Sequence, residues 1–537
     1  MTNANRNRPA ARRQAARRQT AREEQAASER KARAQGQSER RPGPWYQALA
    51  TGTAGMAVSL FALFVVNLLW FSTFSFRTIM GDDLYAWSAF SGHPTLGELF
   101  FSAPGSKYRP VTNLVLYLLF KAFSSDYRSW VTFSILLNFV IAAALFMLIR
   151  RLTHGDNIIA LLGCLLYVTS RFSYYNILQL LGVMEALALL LLVLIMYMTV
   201  RFYRGSERWP GFALAGLFLL ITLTHERYLA LLPFLLLVPL LHASLSRRSK
   251  LGLMALLCAP FLLNVVLKQF LLHSTVLMGG GGQKIALDPF QVASFVANGL
   301  ANMTWINVGP DYLSGISFGR VEERWQALVL VLCVALLALL VWMLVRLMRT
   351  RDPGVRGREL RGFVLWAVLF LSLLLVASIT LRQEYRWLYA PFVVLLVYFC
   401  YQYARLPMRA ALKYGLLVIV CVLAVGIDGY YKANEGGLYL MSSQAVADSA
   451  YDATMGKYGQ GMRDRTMYVE NAVGVPWILG EDLFLSPYLG KGYRRIVWVD
   501  SFAQIAPETI DRDRSLFFRI DWPRSRLVDV TSEVLGL

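Results

Sequence analysis

The sequence predicts an all-α, polytopic transmembrane bundle that ends in a small α/β or α+β module. Of its 537 residues, 56% are apolar, and the mean hydropathy is +0.45. Several apolar runs reach roughly 18 residues or more, which fits the thickness of a bilayer and exceeds what a soluble core helix needs. Basic loops alternate with mixed or neutral loops, and this alternation predicts a defined orientation in the membrane.

The first 44 residues form a polar, basic tail with twelve Lys and Arg against four Glu. Because it has no apolar periodicity, it cannot bury enough surface to fold alone, and we expect it to be disordered. Its charge predicts a cytoplasmic N-terminus and favours contact with anionic lipid. A cleavable signal peptide is not expected, because this long polar stretch precedes the first apolar run. Nucleic acid is not an expected partner, because the remaining positive charge lies in short loops between apolar runs.

Eleven apolar segments are predicted to cross the membrane. A twelfth stretch, 111–123, is short for a span, and the number of crossings would rise to twelve or thirteen if it crossed with a further break nearby. With eleven crossings, the positive-inside rule places the C-terminal module outside a cytoplasmic (inner) membrane. The eleven segments are 48–74, 130–149, 158–169, 177–200, 210–224, 228–242, 251–272, 325–345, 362–381, 388–403 and 411–427.

The predicted domains are the tail 1–44, a membrane module 45–429 and an extracytoplasmic domain 430–537. Two outer loops interrupt the membrane module: 75–110, which carries an acidic pair, and 273–324. Strand-like runs in the last domain occur at 466–469, 495–499, 516–520 and 527–530. The run Gly279–Gly282 lacks a following Gly-Lys-Ser/Thr, so it predicts a flexible linker rather than a phosphate loop. All five cysteines lie inside apolar runs, which predicts buried free thiols without a metal site or disulfide framework.

The acidic pair Asp82-Asp83 follows the first apolar segment directly and is the leading candidate for chemistry. Adjacent Asp residues after a glycine also often cap a short helix, and that alternative stays open.

Further ionisable and aromatic residues are predicted on the same outer face. Tyr and Arg beside spans also serve as interfacial anchors, and the charges at 225–227 could simply pair with each other. Glu185 stands at the start of a long apolar run, and an ionisable group at that depth needs a partner and suggests function. The candidate substrate-binding residues are Tyr108, Arg109, Arg171, Tyr175, Glu185, His225, Glu226, Arg227, Arg382 and Arg386.

Outer carboxylates, several outer arginines and an apolar body together suit a lipid-linked phosphate substrate. A carboxylate can accept the proton of an acceptor hydroxyl that attacks an anomeric carbon. Arginines can stabilise the charge that develops on the departing lipid phosphate. Asp82, Asp83 and Glu226 could also hold a divalent cation such as Mg²⁺ or Mn²⁺ through oxygen ligands.

Residues 48–230 resemble the glycosyltransferase C superfamily, in particular protein O-mannosyltransferases and aminoarabinose transferases. The resemblance rests on one span followed by the acidic pair, then Tyr108-Arg109-Pro110, and an outer turn with a Glu at His225-Glu226-Arg227. It implies a polyprenyl-phosphate sugar donor and Asp82 or Asp83 as catalytic base. Many relatives carry Asp-Glu where this chain has Asp-Asp, so the choice between the two stays open.

The expected activity is therefore an inverting sugar transfer from a polyprenyl-phosphate donor to a cell-envelope glycan, lipid or protein. Two alternatives remain. A transporter or flippase of a lipid-linked glycan would place charges through the depth of the spans and often has two similar halves. A non-catalytic membrane scaffold would use the outer domain to bind a partner.

Overall fold

The computed structural model describes residues 49–74, 77–92, 94–101, 107–205, 209–273, 285, 287–308, 316–350, 352–380, 383–434, 439–470, 476–490 and 495–536. The predicted tail 1–44, the glycine run 279–282 and Arg382 lie outside these residues. The chain divides into two units, Met1–Ala57 and Val58–Leu537. In the first unit, only residues 49–57 are described, and they include the start of the first long helix.

Helices make up the membrane part of the chain. The first eight are α1 (Thr53–Phe71), α2 (Asp82–Phe90), α3 (Leu96–Phe101), α4 (Pro110–Phe123), α5 (Tyr127–Leu152), α6 (Asn157–Thr169), α7 (Tyr175–Leu178) and α8 (Gly182–Arg204). The next eight are α9 (Trp209–Thr224), α10 (Leu232–Leu240), α11 (Arg247–Val266), α12 (Pro289–Met303), α13 (Glu323–Arg349), α14 (Pro353–Ser378), α15 (Tyr389–Ala404) and α16 (Ala410–Ala433). Single helical turns precede or follow several of them, at Arg171–Ser173, Glu226–Leu231, Leu267–Leu271 and Tyr385–Leu388.

Eight helices in the described residues are long and apolar enough to cross a membrane, and a ninth span results if α6 and the following segment to Leu178, bent by 59°, count as one. The protein is a multi-pass membrane protein. Large apolar side chains on α13, such as Val331, Val334 and Leu337, are exposed along its outer face. This outward apolar surface is what contact with lipid requires.

The sequence predicts eleven crossings, and three predicted segments give shorter helices. α6 ends at Thr169 because Ser170 adopts an extended backbone. α9 has 16 residues, and α10 has 9 residues after the turn Glu226–Leu231. Helices of this length cover about 24 Å or less, against a hydrocarbon core of about 30 Å. The described residues therefore give eight or nine full-length candidate spans, and the fold class is as predicted.

Helix starts carry the residues that satisfy free backbone N–H groups. The side chain of Asp156 accepts hydrogen bonds from Ile158 N and Ile159 N at the start of α6. Asp352 does the same for Gly354 N and Val355 N at the start of α14. α5 ends with Arg150 and Arg151, which suit the negative end of its dipole.

A chain of polar side chains joins four helices inside the bundle. Asn138 donates to Asn67 Oδ1 at 2.8 Å, and the Tyr167 hydroxyl donates to Asn138 Oδ1 at 2.7 Å. The hydroxyls of Tyr167 and Tyr389 lie 2.5 Å apart. Because an unpaired polar group is costly away from water, this chain fixes how α1, α5, α6 and α15 pack.

The C-terminal module contains a four-stranded mixed sheet. Its strands are β1 (Thr466–Glu470), β2 (Ile496–Val499), β3 (Ser515–Asp521) and β4 (Arg526–Asp529), in the order β2-β1-β3-β4. β1 pairs in parallel with β2 and β3, whereas β3 and β4 are antiparallel. Helices α17 (Tyr439–Tyr451), α18 (Ser486–Leu489) and α19 (Thr531–Leu535) complete it. The four predicted strands are confirmed, each to within one residue at its ends.

Candidate functional site

The two residues of the acidic pair differ sharply in environment. Both lie in the first turn of α2, after Gly81, and neither side chain caps that helix. Asp82 is half-buried, whereas Asp83 is fully buried. The pair therefore divides into one accessible carboxylate and one internal carboxylate.

Asp83 holds the start of α8 in place. Its Oδ2 accepts a hydrogen bond from Leu180 N at 2.8 Å, and its Oδ1 accepts one from Leu181 N at 3.0 Å. Burial and, to a smaller extent, the charge of Asp82 raise the pKa of Asp83, the two backbone donors lower it, and the net pKa is about 7. Because both oxygens are occupied, the Asp83 carboxylate serves as a remote helix cap.

Asp82 faces the C-terminal module. Trp477 Nε1 donates a hydrogen bond of 2.8 Å to Asp82 Oδ1, and Gly81 N donates to Ile478 O at 3.0 Å. Gly81 has a positive φ of 56°, and a Cβ there would lie 2.5 Å from the indole ring of Trp477. The loop can approach the indole this closely only because residue 81 is a glycine. Within the described residues, Asp82 Oδ2 accepts no hydrogen bond.

A bidentate ion pair stands beside this loop. Arg109 Nε and Nη2 donate to the two carboxylate oxygens of Glu226, each at 2.6 Å. Burial lowers the pKa of Arg109, but Glu226 outweighs it and the net pKa is raised. Burial raises the pKa of Glu226, and Arg109 more than reverses that effect, so its net pKa lies below its usual range. Both groups are therefore charged at neutral pH.

His225 lies between the two glutamates. Burial, Arg109 and Arg227 lower its pKa, Glu185 and Glu226 act against them, and the net pKa is about 4. The ring is therefore neutral at pH 7, and its short contacts to Glu185 and Glu226 are not ion pairs. Its Nδ1 accepts a hydrogen bond from Arg227 N at 3.3 Å, and its Nε2 lies 2.9 Å from Arg227 Nη2 and 3.4 Å from Glu185 Oε1.

Two further, half-buried arginines extend the network. Arg227 Nη2 pairs with Glu185 Oε1, and its guanidinium lies 4.8 Å from the centre of the Trp387 ring. Arg386 pairs with Glu384 and lies 4.5 Å from the centre of the Tyr175 ring. Three Arg–Glu pairs thus line one face with little net charge.

Tyr175 and Lys107 connect this network to the acidic pair. The charges of Arg386, Glu185, Asp82 and Asp83 all act on the buried Tyr175 hydroxyl. Half-buried Lys107 has a pKa lowered by burial and by Arg109, while Glu226 and Asp82 act in the opposite direction. Asp82 and the Arg–Glu pairs therefore belong to one electrostatic cluster.

Two lysines add positive charge near the Arg–Glu pairs. Lys268 is 1% exposed, lies on the π turn Leu267–Leu271, and is acted on by the charges of Glu226 and Arg109. Within the described part of the chain, neither Lys107 nor Lys268 makes an ion pair or a side-chain hydrogen bond. An unpaired buried ammonium is costly, so an anion at this position would be strongly favoured.

Sequence reasoning missed both lysines. Lys107 directly precedes Tyr108-Arg109-Pro110, and Lys268 is a charge inside an apolar run, which is the same kind of signal that singles out Glu185. Nothing in the local sequence indicates Trp477, because its role depends on docking between distant segments.

Not all the predicted site residues lie in this cluster. Arg171 Nη2 donates to the backbone oxygen of Asn302 at 3.2 Å and also to its side chain. Its guanidinium lies 5.6 Å from the centre of the Tyr431 ring. It therefore ties the bend after α6 to α12 and α16. Tyr108 is buried, and burial raises its pKa.

The predicted metal ligands are not assembled. In the described ranges, no three His, Cys, Asp or Glu side chains are grouped so that they could hold a metal ion. Glu226 is engaged by Arg109, and Asp83 by backbone donors. A requirement for Mg²⁺ or Mn²⁺ stays a prediction.

An apolar cleft of about 320 Å³ runs between α6, α13, α15 and α16. Its walls include Leu166, Leu332 and Leu396, and at one end Met303 and Trp305. The same two residues border the small pocket of about 10 Å³ beside Arg171. The cleft offers an apolar chain a path along the bundle.

No protein-family model and no curated protein sequence matches the chain. Among solved structures, it is similar to ArnT from Cupriavidus metallidurans bound to undecaprenyl phosphate, at 12% identity and a TM-score of 0.46, over 90% of this chain and 95% of that one. ArnT is a glycosyltransferase C-type aminoarabinose transferase, the group that the sequence resemblance names. A likeness at this level assigns no residue roles and no substrate.

Proposed function

We propose that this protein is a glycosyltransferase that moves a sugar from a polyprenyl-phosphate donor to a cell-envelope glycan, lipid or protein. Transfer takes place on the outer face of the cytoplasmic membrane, on the side of the bundle that carries the C-terminal module. The observation that carries the proposal is the half-buried Asp82, whose Oδ2 has no partner within the described residues, in one cluster with the unpaired cation Lys107.

Asp82 is the base of the reaction. Its Oδ1 is held by Trp477, and Oδ2 can accept the proton of an acceptor hydroxyl. The hydroxyl oxygen then bonds to the anomeric carbon as the bond to the lipid phosphate breaks. Asp83 cannot assist, because both of its oxygens accept backbone hydrogen bonds. One available carboxylate suits a single displacement, which inverts the anomeric configuration.

The cationic cluster stabilises the departing phosphate. The leaving group carries increasing negative charge, and fixed cations in a water-poor site stabilise it with little reorganisation. Lys107 and Lys268 form no ion pair within the described residues and can contact the phosphate. Arg109 and Arg227 are instead held in place by Glu226 and Glu185. We assign phosphate contact to the two lysines and orientation of the site to the Arg–Glu pairs.

The polyprenyl chain requires an apolar path, and the cleft lined by Leu166, Leu332 and Leu396 offers one. Because the chain is uncharged and flexible, such a site needs few polar contacts. This assignment supports a lipid-linked donor over a soluble nucleotide sugar.

The test supplies purified protein with a panel of polyprenyl-phosphate sugars and measures release of polyprenyl phosphate, with and without a chelator. We expect one donor to be consumed when a suitable acceptor is present. Activity that survives the chelator would show that the cations of the protein suffice. If no donor of the panel is consumed in native membrane extracts that contain acceptors, the proposal is wrong.

A further inference from the structure

A second cleft, of about 500 Å³, lies between α8, α10 and α14. We propose that it binds the phosphate headgroup of an anionic phospholipid from the inner leaflet. This site is independent of the acidic pair and of the proposed sugar transfer.

The cleft lies at the opposite end of the bundle from Asp82. α8 begins at Gly182, next to the backbone that Asp83 caps, and ends at Arg204, which lines the cleft. At 1.5 Å per residue, Glu185 and Arg204 are roughly 28 Å apart along the axis. The neighbouring loops are the basic ones, so the positive-inside rule assigns this end to the cytoplasm.

Three arginines line the cleft. They are Arg204, Arg358 and Arg361, and no Asp or Glu is among the lining residues. Nearby, Arg346 and Arg405 share Glu359, at 3.3 and 2.5 Å. Within the described residues, no carboxylate pairs with any of the three lining arginines. Guanidinium groups match phosphate geometry well, so this lining favours a phosphate ligand.

The deeper wall of the cleft is apolar. Phe234, Leu365, Trp366 and Leu369 line it below the arginines. A free phosphate ion would not use such a wall, whereas the acyl chains of a phospholipid would lie against it. Basic pockets between transmembrane helices at the cytoplasmic side are suited to anionic lipid headgroups. The combination therefore selects a phospholipid rather than a soluble anion.

Gly362 provides a way to block the cleft without removing charge. It lines the cleft, and a Cβ at this position would meet no atom within 4 Å. A leucine at 362 is expected to extend into the open space and to suit the helix better than glycine does.

The experiment titrates the purified full-length protein with phosphatidylglycerol, phosphatidylcholine or inorganic phosphate, and counts bound lipid by native mass spectrometry. We expect phosphatidylglycerol to bind in preference. Arg358→Gln/Arg361→Gln should weaken its binding about thirtyfold, since each cation near the headgroup contributes comparably. Gly362→Leu should abolish the binding while the protein remains folded.

The matched control is Arg247→Gln/Arg248→Gln, which removes the same charge from exposed positions on the same face, outside the cleft. It should leave phosphatidylglycerol binding unchanged. Equal loss in the control, or equal binding of phosphatidylcholine, would show diffuse attraction and overturn the proposal. So would inorganic phosphate that displaces the lipid at matched concentration, because the site would then be one for a soluble anion.

Discussion

The indole nitrogen of Trp477 donates a 2.8 Å hydrogen bond to Oδ1 of Asp82, 395 positions away in the chain. It joins the C-terminal module to the loop that follows the first span. The contact orients the accessible carboxylate of the acidic pair and leaves its second oxygen for substrate. The module is thereby part of the site that we propose.

Replacing Trp477 by phenylalanine tests this contact. Trp477→Phe keeps an aromatic ring and removes the donor, so we expect kcat/KM to fall about tenfold with little effect on stability. The drop should appear in kcat rather than in the donor KM, because Trp477 acts through Asp82. Trp498→Phe is the control: its Nε1 donates to the backbone oxygen of Glu481 at 3.1 Å. Equal loss in both variants would argue against a specific role for Trp477.

Asp83 should give the fold a characteristic pH dependence. Its native pKa is raised to about 7 by burial, above an unfolded value of about 3.9. The native state therefore binds more protons between these values, and the stabilisation present at low pH is lost as the pH rises through 7. The Asp83→Asn variant has no titratable group at this position and lacks this effect. Between pH 5 and pH 8, we therefore expect the thermal midpoint of the wild-type protein to fall relative to that of the variant.

His225 affects the pH dependence of stability in the opposite direction, because its native pKa is lowered to about 4 from an unfolded value of about 6.5. Its contribution falls as the pH drops through this range. The comparison of wild type with Asp83→Asn cancels it, since both proteins retain His225. A midpoint difference that stays constant with pH would contradict the buried, protonatable Asp83.

Arg109 and Glu226 should behave as a coupled pair in stability measurements. Removing either partner leaves the other charge buried, and we expect Arg109→Ala and Glu226→Ala each to lower the free energy of unfolding by about 3 kcal/mol. The double variant should lose clearly less than the sum of the two. Chemical denaturation in detergent measures all three variants. Simple additivity would mean that the bidentate pair does not form in solution.

Replacing Lys268 should increase stability and weaken binding of the donor. Lys268→Met removes a buried cation that pairs with no carboxylate among the described residues, so we expect the thermal midpoint to rise. The KM for the polyprenyl-phosphate donor should increase about tenfold, as expected for loss of a charge-assisted contact. Lys250→Met is the control: this lysine, at the start of α11, donates to Leu240 O at 2.8 Å. An unchanged KM in Lys268→Met would remove Lys268 from the proposed phosphate site.

The sequence predicts the elements well because the patterns that specify them are local. The four strands of the C-terminal module follow from short apolar runs bounded by turn residues. The number of full-length spans is less predictable. The breaks after 169 and at 225–227 are predicted, but hydropathy alone does not reveal that the helices beside them are shorter than a full span.

The sequence predicts many of the residues that form the site, but not which residues contact each other. The sequence singles out Arg109, Glu226, Arg227 and Glu185, and the structure brings them into one network. The sequence does not show that Asp83 caps α8, because the cap and the helix are nearly one hundred residues apart. Arg171 has the same residue type as Arg227 but lies with Asn302 in a different cluster. Tertiary packing decides these pairings.

The most direct measurement compares Asp82→Asn with Asp83→Asn in a donor-consumption assay on purified, folded protein. We predict that Asp82→Asn abolishes release of polyprenyl phosphate and keeps the wild-type thermal midpoint. Asp83→Asn should shift the midpoint and retain measurable turnover, because Asp83 supports α8 rather than the reaction. Full activity in Asp82→Asn would contradict the assignment of Asp82 as the base.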